Sequence, residues 1–157
     1  MLSHLRQQFP SLSIEKTSSS LLLINGAPGC APAPRFLSQV AVAAQTAYLS
    51  GQLGLGSNGQ LVPGGTEAET HQIFNNIEAI LGAVRLELSA VLMARVFLTN
   101  WDEFSTFNAI YLERMGTMRP AREAVAVSKL ALEASVEITV TAHIPSHHAL
   151  LAGGTLA

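Results

Sequence analysis

From Ser135 to Ile144 the chain alternates: Val136, Ile138, Val140, Ala142 and Ile144 fall on one side, and Ser135, Glu137, Thr139, Thr141 and His143 on the other. A period of two over that length predicts a half-buried β-strand. A different period governs residues 66–84, where Ile73, Ile77, Ile80, Leu81 and Val84 recur at i, i+4, i+7, i+8 and i+11. That spacing predicts an amphipathic helix with Asn75, Asn76 and Glu78 on its wet side, opened by a Thr66–Glu69 capping box. Phe104, Phe107 and Tyr111 mark the buried stripe of a second helix, with Asn100 and Glu103 capping its start, Gly116 ending it and Pro120 beyond. Between the helices, VLMARVFLT (91–99) is apolar on both faces except at Arg95, the pattern of a strand inside its sheet.

Shorter strands complete the set. LLLIN (21–25) is one, and apolar stretches on either side of Ala44-Gln45 predict a hairpin within residues 36–51. EAVAVS (123–128) is another, whereas APGCAPAPR (27–35) is too proline-rich for a helix and reads as a loop. The order is strands, helix, strand, helix, strands, which fits an α+β fold. Two helices of this length cover only one face of a sheet. The other face would carry Glu137, Thr139, Thr141 and Arg95, and self-association would cover it. Residues 1–20 read as a polar N-terminal arm with one short helical turn, 21–145 as the folded domain, and 146–157 as a loose tail.

Composition narrows the function classes. With 157 residues the chain suits one domain, and 48% hydrophobic against 13% charged residues argues against a disordered chain. A net charge of −2 with no basic run gives no electrostatic reason to bind nucleic acid. Cys30 is the single cysteine, so no intrachain disulfide forms and a cytoplasmic location is the default. No apolar stretch approaches the roughly 20 residues of a membrane span. No secretory signal is expected either, although the early arginine and serines leave an organellar presequence open.

Two motifs fail on context. Gly54, Gly56 and Gly59 spell G-x-G-x-x-G, but the last glycine leads into Gln60-Leu61-Val62-Pro63, not into a helix that could face a pyrophosphate. Asn58-Gly59 is instead a hairpin-turn pair. His143, His147 and His148 crowd together, yet zinc wants three or four ligands on fixed elements and two of these follow Pro145 on the tail, so no metal site is expected. Cys30 has only Arg35 as a basic neighbour, which does not make a nucleophile.

YLSGQLGL, the helix containing NNIEAIL, VFLTNWDEFSTFNAIY, and above all PAREAVAVSKL followed by VEITVTAH resemble the Rid (reactive intermediate deaminase) family, also called YjgF. The resemblance runs from about residue 24 to 144. It implies a chorismate-mutase-like α+β fold, a single sheet with two helices on one face, assembling as a homotrimer with clefts between subunits. It also implies cofactor-independent hydrolysis of small enamines and imines (2-imino acids) to 2-keto acids and ammonia. Residue by residue, the family's carboxylate-binding arginine falls on Arg122, after Pro120-Ala121, and the acid that holds the attacking water on Glu137. Gly51 matches the glycine of the cleft wall. Asn108 and Tyr111 match a polar pair of the second helix, although Tyr111 and Phe107 read as core from helical spacing alone and Asn108 reads either way. Leu37 stands where deaminases usually carry a tyrosine, and Ala124 where they often carry a cysteine, its backbone N–H still able to bond a carboxylate. Both changes make the expected cleft more apolar.

The chemistry asks for little beyond an anchored substrate, a positioned water and a proton donor for the leaving nitrogen. A guanidinium grips a carboxylate through two parallel hydrogen bonds of fixed geometry, which suits Arg122 to the anchor role, and Glu137 could orient water and relay protons. Without the family match, Arg122 reads as half of a surface ion pair and Glu137 as a solvated strand residue. Two alternatives to imine hydrolysis stand beside it. One is an enzyme of the same scaffold recruited to another imine, enamine or cyclisation step in specialised metabolism; the other is a non-catalytic trimer that binds a ligand.

Overall fold

The computed structural model describes residues 2–18 and 21–145. One eight-stranded sheet dominates. Its strands are β1 (Ser13–Ser18), β2 (Leu21–Asn25), β3 (Val40–Ala43), β4 (Thr46–Leu49), β5 (Gln52–Leu53), β6 (Val91–Leu98), β7 (Ala121–Ala126) and β8 (Val136–His143), joined by helices α1 (Leu2–Gln8), α2 (Gly65–Ala83) and α3 (Phe104–Met115). Across the sheet the order is β1-β2-β3-β4-β8-β6-β7, with β5 also paired to β8. β1 to β4 form an antiparallel meander, β8 runs antiparallel to β4 and β6, and β6 and β7 are parallel, connected through α3.

The core lies between the sheet and the two long helices. Ile73, Ile77, Ile80, Leu81 and Val84 are all fully buried, as the helical period requires. The expected strand alternation also holds, with Val136, Ile138, Val140 and Ala142 buried and Glu137, Thr139 and Thr141 only partly so. Register carries that parity across the sheet. Ala94, Val96 and Leu98 of β6 pair with Val140, Ile138 and Val136, and all belong to the one hydrophobic core. Met93, Arg95 and Phe97 therefore share the opposite face with Thr141, Thr139 and Glu137, and Arg95 makes an exposed ion pair there with Glu123 at 2.9 Å.

The hairpin turns at Ala44 (φ 49°) and Gln45, α3 ends at Gly116 (φ 58°), and the proline-rich loop carries no helix, as expected. The glycine-rich stretch is a tight turn: Leu55 bridges Leu61 and the Gly59 N–H donates to the Gly56 carbonyl.

Four expectations change. The N-terminal arm contains a two-turn helix and a full edge strand rather than one turn; Leu5 is fully buried and the Arg6 guanidinium donates to the Ile14 carbonyl at 2.8 Å. The Thr66–Glu69 capping box does not form, because α2 already starts at Gly65 after Gly64 (φ 120°). Glu69 then lies a turn inside the helix and reaches across to β8, accepting from the Ser135 N–H (2.8 Å), the Ser135 hydroxyl (3.0 Å) and the Val136 N–H (3.3 Å). Asn76 is buried rather than wet, its amide donating to the Leu53 and Leu55 carbonyls at 3.2 and 3.0 Å. Ahead of α3, Asn100 caps a single 3-10 turn (Trp101–Glu103) by accepting from the Asp102 N–H, while Glu103, at the N-cap of α3 itself, makes no side-chain cap.

Candidate active site

A bulge creates the site. Tyr48 of β4 pairs with Thr141 and Gln52 of β5 with Ile138, so three residues, Leu49 to Gly51, stand against two, Thr139 and Val140. One extra residue bends a strand and releases its backbone from the ladder. Ser50 uses that freedom to turn away from β8: its N–H donates to the Gln39 carbonyl (3.1 Å) and its hydroxyl to the Ser38 carbonyl (2.6 Å). Where the strands part, a cavity of about 530 Å³ opens between the proline-rich loop, the bulge and β8.

Gly51 and Glu137 meet at its wall. A Cβ added to Gly51 would land on the Glu137 Oε1 and within 2.7 Å of Cδ, so only glycine leaves room for the carboxylate. Of the other polar side chains in the lining, each is spent on the protein. Gln39 accepts from the Ala27 N–H and donates to the Ala31 carbonyl, Gln52 donates to Ser50, Cys30 to the Asn76 carbonyl, and Ser50 and Asn76 bond as described above. Glu137 alone has no hydrogen bond or ion pair among the described residues. Burial pushes its carboxyl pKa above the usual 4.5, because the charged form loses solvation and gains no partner. Burial likewise pushes the Cys30 thiol up to about 11, which keeps it an inert thiol at neutral pH.

Leu37 lines the same cavity, so three of the expected site residues, Leu37, Gly51 and Glu137, come together. The remaining four do not join them. Arg122 pairs in register with Ala94, and Ala124 with Val96, which puts both on the helix side of the sheet, whereas Glu137 pairs with Phe97 on the other side. Within one chain Arg122 and Glu137 therefore cannot share a cavity. Arg122 lies on α3 instead: its guanidinium carbon is 4.6 Å from the centre of the Tyr111 ring, 5.8 Å from that of Phe104 and 5.9 Å from that of Phe107. It has no ion pair or hydrogen bond among the described residues. Tyr111 is buried as its spacing suggested, but its hydroxyl has no hydrogen-bond partner among the described residues. Its pKa is raised by burial, against the lowering effect of Arg122. Asn108, half-buried on the same helix, has no side-chain hydrogen bond among the described residues either.

Sequence reasoning missed Gln39 and Asn76, which shape the cavity, and Glu69, which holds the start of β8 two residues before Glu137. A polar residue within an apolar helical stripe was the available signal for Asn76. Among the described residues no helix is long and apolar enough to cross a membrane, and no three His, Cys, Asp or Glu side chains are grouped to hold a metal ion. His143 is described and exposed; His147 and His148 lie outside the described residues.

A single mixed sheet backed by two helices, with an unspent carboxylate in a cavity at a strand bulge, defines an α+β protein with a cleft sized for a small molecule. The chain belongs to the Endoribonuclease L-PSP family, the Rid proteins, whose sequence pattern matches residues 29–144. It is 40% identical over 106 residues to the 2-iminobutanoate/2-iminopropanoate deaminase of Bos taurus, a span covering 67% of this chain and 77% of that protein. Among solved structures it resembles yeast Mmf1 (TM-score 0.77, 28% identity, 80% of this chain and 100% of that one), a protein whose name places it in mitochondria. It also resembles RidA from an Antarctic Psychrobacter (TM-score 0.69, 34% identity, 73% of this chain and 94% of that one). Imine deaminase activity thus occurs among its relatives.

Proposed function

We propose that the protein hydrolyses 2-imino acids and their enamine tautomers to 2-keto acids and ammonia, without a cofactor, in clefts between the subunits of a cytoplasmic homotrimer of the chorismate-mutase-like kind. The observation that carries this reading is the pair of unspent charges on opposite faces of one sheet. Glu137 sits in a cavity with no cation to meet it, and Arg122 sits on aromatic rings with no anion. A second copy placed against the polar face would bring its own Arg122 to the Glu137 cavity and complete a site with both ends. Tyr48, Leu92 and Val125, large exposed apolar side chains on or beside that face, would be covered in the same step.

The reaction then follows from the residues. Arg122 of one copy holds the substrate carboxylate through paired N–H donors, with the aromatic rings of α3 backing the guanidinium. Glu137 of the other takes a proton from water as its oxygen adds to the carbon of the protonated imine, giving a neutral carbinolamine. The same carboxyl then returns the proton to the amino nitrogen, making it a leaving ammonium. Ammonia leaves as the C=O bond forms, and the carbinol O–H passes its proton to the regenerated Glu137 carboxylate and from there to solvent. A carboxyl whose pKa burial raises above its ordinary value is better suited to giving the proton back as well as taking it. An enamine enters the same path once its β-carbon has been protonated.

The family name includes ribonuclease, but the charges here favour a small substrate. Nine basic residues face eleven acidic ones, and Arg95, Arg114 and Lys129 are each tied to a carboxylate. The test is complementation in trans. Arg122→Ala and Glu137→Gln proteins, each inactive, are unfolded and refolded together. Sites between unlike subunits can pair a native arginine with a native glutamate, so about a quarter of wild-type activity should return in an equal mixture of trimers. Light scattering should give about 50 kDa, three copies of 16.6 kDa. A monomer, or a mixture as inactive as its parts, would refute the shared site.

A further inference from the structure

We propose that Leu132, held over the mouth of the Glu137 cavity by a strained turn, sets substrate selectivity in favour of 2-imino acids with branched or long apolar side chains. The proposal rests on the reading of the cavity as an imine hydrolase site and adds the substrate class.

The connection from β7 to β8 contains two successive residues in left-handed conformation, Leu132 (φ 58°, ψ 22°) and Glu133 (φ 59°). For L-residues other than Asn and Asp that conformation is costly, and it persists only where the surroundings hold it. Here they do. The Ala134 N–H donates to the Ala131 carbonyl at 3.1 Å, Ala134 is buried at 1% exposure, Lys129 and Glu133 close the turn with an ion pair, and Glu69 pins the next two residues. A leucine has no side-chain hydrogen bond to offer in such a turn, and the strain does not buy burial in the core: Leu132 is 62% exposed.

What the turn achieves is placement. Leu132 lines the cavity, as do Phe36 and Leu37 just after the proline-rich loop, and these are three of the eight large apolar side chains left exposed among the described residues. They cluster at one mouth rather than scatter over the surface. With every other polar side chain in the lining spent, the cavity offers one reactive polar group, Glu137, and an apolar rim. Its volume, about 530 Å³, lies within the range of about 300–1,000 Å³ that holds drug-sized ligands, far more than a three-carbon imino acid fills. The chemistry that would supply such substrates is oxidation of apolar α-amino acids to their imines.

The experiment compares wild type with Leu132→Gly and Leu132→Asn, which both tolerate the left-handed backbone. Imines are generated in situ by an amino-acid oxidase from leucine, methionine and alanine, and kcat/KM is measured for each. A side-chain contact in an apolar pocket discriminates about 10-fold or more. Wild type should therefore prefer the leucine imine over the alanine imine by at least that factor. Both variants should lose most of the preference while keeping alanine-imine turnover, trimer mass and melting temperature. An unchanged ratio, a variant that dissociates, or one that melts much earlier would overturn the proposal, the last two by making Leu132 an interface or folding residue. Calorimetry with 4-methyl-2-oxopentanoate and pyruvate reads the same selectivity without turnover. If wild type hydrolyses no imine yet binds the branched keto acid more tightly and Leu132→Gly does not, the hydrolase reading falls and the role of Leu132 stands. If wild type binds both alike, that role falls.

Discussion

Gly51→Ala separates the proposed chemistry from the fold, because the three nearest atoms the new methyl meets all belong to Glu137. The backbone at Gly51 is not left-handed, so alanine brings no conformational strain there. The methyl would overlap Oε1 and lie 2.7 Å from Cδ and 3.2 Å from Cγ, whereas ordinary contact begins near 3.4 Å. Cδ must retreat by about 0.7 Å and the oxygen by more. A carboxylate with no hydrogen bonds to lose can swing aside for about 0.5–1.5 kcal/mol of rotamer strain. At roughly 2–4 °C per kcal/mol, melting should fall by only a few degrees. Catalysis is less forgiving, since displacing a reacting group by about 1 Å can cost 10²-fold. The expected result is kcat on an oxidase-generated imine reduced about 100-fold with the protein still folded. On a Glu137→Gln background the same substitution should add almost nothing, because the two act through one group. Gly54→Ala gives the contrasting case: its Cβ would lie 2.7 Å from the Glu69 Cα and 2.8 Å from its Cβ, and a helix backbone cannot swing aside. That variant should lose stability first, by about 1–3 kcal/mol. Wild-type kcat in Gly51→Ala would refute the placement of the reacting group.

The remaining expectations follow from the same geometry. Arg122→Ala should lower kcat/KM by about 30-fold or more, the cost of losing a charge-assisted contact worth roughly 2–5 kcal/mol, and Arg122→Lys should rescue it poorly because an ammonium lacks the fork. Glu137 binds protons more tightly in the folded chain than in the unfolded one, so its contribution to stability is most favourable below its ordinary pKa of 4.5 and declines as pH rises through the raised folded value. Glu137→Gln should then melt higher than wild type at pH 7, an advantage that disappears near pH 4, while the acid limb of wild-type kcat/KM should lie above pH 4.5. Glu69→Ala leaves two N–H groups and a hydroxyl without their acceptor; it should cost about 3 kcal/mol or more, read as a large drop in melting temperature that Glu69→Gln partly restores.

The elements that could be read from sequence are those whose burial follows a simple period. The α2 isoleucines and the β8 alternation are one-face patterns, and the structure buries each residue they nominate. Asn58-Gly59 was legible because turn chemistry outweighed a glycine spacing that needs a following helix. Elements were missed where a single contact overrides the period. β1 has only Ile14 buried among six residues, so its pairing with β2 leaves almost no hydrophobic signature. Glu69 looks like a cap until Gly64 and Gly65 start the helix earlier and turn its carboxylate towards Ser135. The same limit applies to the site. Glu137 and Gly51 are 86 positions apart, and the bulge that joins them depends on counting residues between two strand registers, which no local pattern records. That Arg122 lies on the face opposite Glu137 depends on β7 pairing in parallel with β6, again a register and not a motif.

Under the proposed function, that opposition would give this chain a physical reason to work only when assembled. A monomer would leave Glu137 desolvated without a cation, and the Tyr111 hydroxyl buried without a partner at a cost of about 1–3 kcal/mol. Arg122 would keep only its contacts with aromatic rings, worth roughly 0.5–1 kcal/mol at an exposed position. None of these groups is satisfied by anything else in the described chain, and under the proposed function a neighbour or a substrate completes them. If it comes from both, substrate and subunit contacts are thermodynamically linked: a ligand that needs Arg122 of one copy and Glu137 of another binds only the assembly, and so stabilises it. A 2-keto acid product should then tighten the trimer as well as occupy it, and the arginine and glutamate would contribute to assembly through the ligand they share rather than through contact with each other.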